Sequence, residues 1–290
     1  MGGSIGSLIV PGEGSNVRIR MDLAYDGTRF SGWAKQPGLR TVQETVEQAW
    51  GTVLRTQPPV LTVGGRTDAG VHARGSVAHL DIAEQAWLGI PGRTQRTPEH
   101  SARARLTGLL PSDIVVRSVH RAPNGFDARF SALLRRYTYR LCDRPATADP
   151  LRRFDTVRYK QTLDVAAMNQ AAQMLLGLHN FAAFCRKREG ATTIRTLLRF
   201  EASRTADGTV VATVEADAFC HSMVRALVGA IVKVGIGQFP HEWPATVLAA
   251  EQRHPAVTVM PAHGLCLEEI VYPAEDHMAA RAEEARARRD

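Results

Sequence analysis

Apolar and polar residues alternate through residues 17–25, VRIRMDLAY, with Val17, Ile19, Met21 and Leu23 on one side and Arg18, Arg20 and Asp22 on the other. A period of two marks a strand with one buried face. The period then lengthens: Val42, Val46, Ala49, Trp50, Val53 and Leu54 recur at helical spacing until Pro58-Pro59 stops them. Thr41-Val42-Gln43-Glu44 at the head of that helix fits a capping box. Residues 60–64 and 76–82 read as two strands around a glycine-rich turn, 91–100 as a mobile loop, and 114–119 as a strand opened by Pro111-Ser112-Asp113.

A similar order returns further on. Residues 136–142 read as a strand and 163–176 as a helix with Val165, Met168, Ala172, Leu175 and Leu176 inward. Strands over 196–203 and 210–216 flank an Ala206-Asp207-Gly208 turn; an apolar helix over 219–234, a short helix over 245–252 and a closing strand over 265–272 follow. Each half thus reads strand–helix–strand–strand, with no identity between the halves. The pattern predicts an α+β fold of two similar lobes, 17–132 and 133–273, whose antiparallel sheet forms a central cleft with the helices packed on the opposite face. Residues 1–16 are expected to be a disordered leader and 274–290 a C-terminal tail.

Composition narrows the class. The 290 residues are 44% hydrophobic and 22% charged, which excludes collagenous, disordered and coiled-coil chains. Lys+Arg outnumber Asp+Glu by 36 to 29, and only Lys35, Lys160, Lys187 and Lys233 are lysines. Arginine's planar fork suits phosphate and stacks on bases, so the excess favours a nucleic-acid partner; a compositional bias towards Arg codons is the plainer alternative. Cys142, Cys185, Cys220 and Cys266 are scattered without a C-x-x-C pair and read as buried apolar residues of a protein kept in a reducing compartment. No stretch fits a signal peptide or a membrane span, and a cytoplasmic protein is expected.

Three clusters carry chemistry. Gly64-Gly65-Arg66-Thr67-Asp68-Ala69-Gly70-Val71-His72-Ala73 sets an arginine, a hydroxyl, a carboxylate and an imidazole among glycines between two strands. It reads either as a functional loop or as a plain turn in which Asp68 bonds its own backbone. Within the apolar helix, Arg225 shares a stripe with Ser222 and Gly229, small neighbours that let another backbone approach its guanidinium. Such an arginine needs a carboxylate or phosphate partner unless it snorkels to the surface. If the partner is Asp68, the positive charge favours the ionised carboxylate that a nucleophile needs. Third, Arg135-Arg136-Tyr137-Thr138-Tyr139-Arg140 places Tyr137 and Tyr139 on one strand face and Arg136, Thr138 and Arg140 on the other, either for base stacking and phosphate contact or for core packing. Arg129, just upstream, is positioned to serve the same surface. His79, His120, His179, His254 and His263 show no convergent spacing.

Taken together these segments resemble the TruA family of tRNA pseudouridine synthases from about residue 17 to 273. The carriers are Tyr25-Asp26-Gly27 with Gly32-Trp33, the 41–44 segment, Gly65 to Ala73, Leu110-Pro111-Ser112-Asp113-Ile114, Ala128-Arg129-Phe130-Ser131-Ala132, Arg136-Tyr137-Thr138-Tyr139, Met223-Val224-Arg225 with Val228-Gly229, and Gly264-Leu265. Thr107 stands where the family usually has Asn. The resemblance implies isomerisation of uridine to pseudouridine at positions 38–40 of the tRNA anticodon arm, without metal or organic cofactor, by a homodimer in which one tRNA touches both subunits. It implies that Asp68 is the catalytic aspartate and that Tyr137 packs against the target uracil and has been proposed as the base for its C5 proton. Arg225 would pair with the aspartate, Leu265 line the pocket, and Arg66 fill the gap left by the flipped base.

The chemistry needs a glycosidic bond broken, the uracil rotated and a carbon–carbon bond made from C5 to C1′. One ionised carboxylate, one proton acceptor and a water-poor pocket suffice for that. Asp68 could add to C1′ or C6, or remove a ribose proton; the residues leave these open. An RNA-binding module without chemistry is the competing class, and an aspartate-nucleophile hydrolase lacks a second carboxylate to act as acid. A carboxylate set among phosphate-binding arginines opposes binding alone, which argues for the enzyme.

Overall fold

The computed structural model describes residues 15–186 and 192–287; the expected leader lies outside them up to residue 14. The first alternating stretch forms β1 (Asn16–Tyr25), with Ile19, Met21 and Leu23 fully buried. α1 (Val42–Leu54) follows and buries Val42, Val46, Trp50 and Val53. Thr41 is its N-cap, but the threonine hydroxyl makes no capping bond, and Glu44 lies 3.7 Å from Lys35. The expected capping box is absent because backbone carbonyls do its work: Val42 and Gln43 donate to Gly32 and Trp33 at 3.2 and 3.0 Å.

β2 (Thr62–Val63) and β3 (His72–Ala83) flank the glycine-rich turn. α2 (Glu84–Gly89) and α3 (Pro98–Leu109) then lead to β4 (Ile114–Arg121). Residues 98–100, expected to belong to a loop, open α3: the Thr97 hydroxyl accepts from the His100 N–H, and Pro98 takes the first helical position. Beyond it come β5 (Leu134–Cys142), β6 (Val157–Arg158), α4 (Val165–Gln173), β7 (Gly177–Asn180), β8 (Ile194–Arg204) and β9 (Val210–Ala216). α5 (Met223–Gly235), α6 (Trp243–Ala249) and β10 (Leu265–Val271) complete that half, and the residues read as a tail contain α7 (Met278–Ala287). α5 starts at Met223 rather than Phe219 because Ser222 holds a left-handed backbone, φ 64° and ψ 7°, which a right-handed helix cannot contain.

Strands of both halves share one sheet in the order β4-β1-β3-β10-β5-β9-β8-β7, with β2 on β3 and β6 on β5. The pairings are antiparallel except β10 with β3 and β5 with β6. β10 can run parallel to β3 because it arrives after a long crossover through α5 and α6. Residues opposite one another in neighbouring strands point the same way, so Tyr137, Val214 and Phe200 share a face. Val214 and Phe200 are fully buried there, and α4 and α5 pack on it.

Cys185 and Cys220 form a disulfide, their Cα atoms 5.8 Å apart, while Cys142 and Cys266 are free and buried. Four unpaired thiols were the expectation. A backbone bond from Arg186 N–H to His221 C=O at 3.0 Å joins the two distant segments, a meeting that linear spacing does not disclose. Among the described residues no helix is long and apolar enough to cross a membrane.

Candidate active site

The loop between β2 and β3 is held by its backbone from three sides. Gly64 C=O accepts Nε and Nη2 of the buried Arg135 at 3.0 and 2.7 Å. Thr67 meets the Tyr25 hydroxyl at 2.8 Å through its side chain, and its carbonyl accepts the Trp33 N–H at 3.0 Å. The turn itself is closed by the Asp68 carbonyl, which accepts the Val71 N–H at 3.1 Å, while Gly70, at φ +77°, donates to Phe30. Asp68 therefore closes the turn with its main chain, and its carboxylate is left for other partners.

Those partners come from α5 and the residues before it. Arg225 Nη1 lies 3.6 Å from Asp68 Oδ2, with the two side chains 18% and 29% exposed. Ser222 donates its hydroxyl to the same oxygen at 3.3 Å, and His221 Nε2 lies 3.5 Å from Oδ1. Arg225 is itself anchored, because its Nε donates to Met260 C=O at 2.6 Å while Met260 N–H donates back to the Arg225 carbonyl at 3.2 Å. The chain through Thr258 can come this close because position 229 is glycine; a Cβ there would meet the Thr258 oxygen at 1.9 Å. The small-residue stripe through Ser222, Arg225 and Gly229 thus does what its spacing predicts.

β5 and β10 bring the remaining residues. Tyr137 pairs with Leu267 and Tyr139 with Leu265, so all four point to the helix-bearing face. The Tyr137 ring meets Phe219 edge-on at 5.2 Å, and Leu265 is 5% exposed beneath the cleft. Burial raises the Tyr137 phenol above its ordinary range; the Arg135 charge opposes this and the Asp68 charge adds to it. The α+β class with helices on one sheet face is as expected. The groups gathered around Asp68 come from the start of α5, where Ser222 and Arg225 reach its carboxylate.

The arginines interleaved with these tyrosines face the other way. Arg136 pairs with Glu215 at 2.7 Å and with Glu269, and Thr138 bonds Glu268 at 2.6 Å. They form a polar lattice on the reverse face and take no part in a joint aromatic–arginine surface. Arg66 is exposed on the loop itself. Arg129 is exposed with its guanidinium 5.1 Å above the Phe130 ring, and its carbonyl accepts from Arg135 Nη2 at 2.8 Å. Arg135 therefore ties the 127–132 turn to the glycine-rich loop, a role the sequence pattern hides within a string of arginines. His221 also escaped the pattern, since neither periodicity nor charge marks it. Among the described residues no three His, Cys, Asp or Glu side chains gather to hold a metal.

Residues 171–273 match a family model described as tRNA pseudouridine synthase. The chain is also 56% identical over 271 residues to "tRNA pseudouridine synthase A" of Frankia casuarinae, covering 93% of this chain and 95% of that one. It belongs to the tRNA pseudouridine synthase A family. A second member, from Streptomyces griseus, is 54% identical and covers 93% of each chain. The sequence resemblance and the relatives agree, and both span the Asp68 loop as well as the C-terminal half that the family model matches. Among solved structures, a chain of a Cbf5-Nop10-Gar1 complex is similar over 74% of this chain and 54% of that one, at 12% identity and a TM-score of 0.28, too slight to carry an argument.

Proposed function

We propose that Asp68 is the carboxylate with which this member of the tRNA pseudouridine synthase A family isomerises uridine to pseudouridine, at positions 38, 39 or 40 of the tRNA anticodon arm. The observation that carries this reading is the Asp68 side chain itself. It is partly open to the cleft, freed from its own turn, and within 3.6 Å of a guanidinium that is anchored elsewhere.

During the reaction the bond from C1′ to N1 breaks, the uracil turns, and C5 bonds to C1′. The C5 proton leaves and N1 gains one, so the product is an isomer and no co-reactant is needed. Addition of Asp68 to C1′ or C6, or removal of a ribose proton by it, each begins from the carboxylate that faces Arg225 at 3.6 Å. Tyr137 and Leu265 supply an apolar floor for the uracil, which excludes water from the reacting atoms. With its phenol held protonated by burial, Tyr137 enters the reaction as a packing surface; it takes the C5 proton only if the phenolate forms transiently. Arg66, exposed beside Asp68, suits the space an everted base leaves in the stem, and Arg129 suits the tRNA backbone nearby. The working unit in this reading is a cytoplasmic homodimer that grips one tRNA with both subunits.

The test is release of tritium from tRNA labelled at uridine C5. Wild-type protein releases label from tRNA carrying uridine at 38, 39 or 40. Asp68→Ala abolishes release, with tRNA binding changed less than about threefold. Full activity in that variant overturns the assignment.

A further inference from the structure

The Asp68 carboxylate has two oxygens in different surroundings. Oδ2 receives the Ser222 hydroxyl at 3.3 Å and faces Arg225 Nη1 at 3.6 Å. Oδ1 has His221 beside it, at 3.5 Å, and that imidazole is 42% exposed and free to yield to an incoming nucleoside. We propose that Ser222 is a positioning residue: its hydroxyl, together with Arg225, engages Oδ2 and so reserves Oδ1 as the oxygen that meets the nucleoside. The inference rests on the reading of Asp68 given above.

The backbone at Ser222 supports this independently of the hydrogen bond. A serine at a helix N-cap ordinarily adopts extended backbone and gives its side-chain oxygen to a free N–H of the first turn. Ser222 does neither. It caps α5 from the left-handed region, at φ 64°, and makes no side-chain capping bond. Only two other non-glycine described residues, Arg55 and Glu251, have positive φ, and both lie just after a helix, where that conformation is common. Ser222 instead opens a helix, giving up backbone comfort and a cap bond together, and its hydroxyl is turned into the cleft. Strain of this kind persists where the surroundings impose it and clusters at working sites. The same left-handed step reverses the chain between His221 and Met223, which sets His221 against one carboxylate oxygen and Arg225 against the other.

The test uses the full chain and tRNA tritiated at uridine C5. Ser222→Gly removes the hydroxyl and relieves the left-handed backbone, so thermal stability is expected to hold or rise while kcat falls about tenfold with KM changed less than twofold. Ser222→Asn, which tolerates the left-handed region and carries an amide donor, is expected to recover part of the lost kcat. A Ser222→Gly protein with wild-type kcat overturns the proposal, as does one in which Tm falls and KM rises by as much as kcat drops, or one whose lost kcat Ser222→Asn leaves unrecovered. Asp68→Asn separates the two levels. If that variant still releases label, the reading of Asp68 fails; if it is silent while Ser222→Gly is unimpaired, only the positioning role fails.

Discussion

At the scale of single residues, the site depends on how closely backbone passes backbone. Gly32 sits at φ +90°, and a Cβ on it would come within 2.9 Å of the Thr67 carbonyl and 3.2 Å of the Ala69 nitrogen. Both atoms belong to the loop that carries Asp68, so Gly32→Ala must shift that loop as well as strain its own backbone. The expected result is a loss of roughly 1–3 kcal/mol of stability together with a clear fall in turnover. Gly38→Ala is the matched control, since Gly38 is also left-handed, at φ +71°, but has nothing within 4 Å of its would-be Cβ. That variant should pay about 1 kcal/mol in strain and turn over normally. Denaturant unfolding and tritium release on both proteins decide it, and equal turnover in the pair would mean the contact at Gly32 does not set the loop. Reading residues from sequence reaches the pairing of Asp68 with Arg225 and the close backbone approach at Gly229. It is silent on Ser222's second role, because the sign of a φ angle leaves no trace in a residue's identity unless the residue is glycine.

At the scale of elements, long amphipathic runs and the short helix α6 were legible, and weakly amphipathic helices were not. β1 and α1 each bury a regular apolar stripe. α3 buries only Ser101, Ala102 and Leu106, and α7 only Met278 and Ala282, too little apolar surface to show as a period. What fastens such elements is polar and local, and His79 on β3 is an example. Its Nδ1 accepts the Ala128 N–H at 3.0 Å, which holds the turn after β4 against the sheet, and the residue is only 4% exposed. Burial first, then the Arg18 charge, pushes its pKa down from 6.5 to about 4. The unfolded imidazole therefore takes a proton before the folded one does. Stability from this group is complete above about pH 6.5 and is lost progressively as pH falls towards about 4. His79→Asn keeps an acceptor near the Nδ1 position and cannot be protonated, so its Tm should be lower at pH 7 but fall less between pH 7 and pH 5 than that of the wild type. Parallel declines in the two proteins would remove His79 as the source of acid sensitivity in that range.

At the scale of the whole molecule, the order of strands carries the function and was the least legible feature. β10, among the last elements in the chain, inserts between β3 and β5, and this insertion brings the Asp68 loop, Tyr137 and Leu265 to one seam. Strand composition specifies that a strand is half-buried, but not which neighbour it takes. The charge balance, by contrast, was readable at once, and the sheet's two faces now sort its arginines. Arg136 pairs with Glu215 and Glu269 on the face away from Asp68, and Arg66 is exposed on the Asp68 loop. If tRNA lies along the cleft face, its affinity should fall about a hundredfold or more between 50 and 200 mM salt, because each phosphate neutralised releases a counterion. Arg66→Ala should lower the slope of log K against log salt by about one, and Arg136→Ala should leave it unchanged. Filter binding across a salt series, with Asp68→Asn protein, expected to be silent, as the common background, measures both slopes. A larger loss of slope for Arg136→Ala than for Arg66→Ala would put the tRNA on the reverse face of the sheet, and would separate the binding surface from the carboxylate that the fold delivers to the other side.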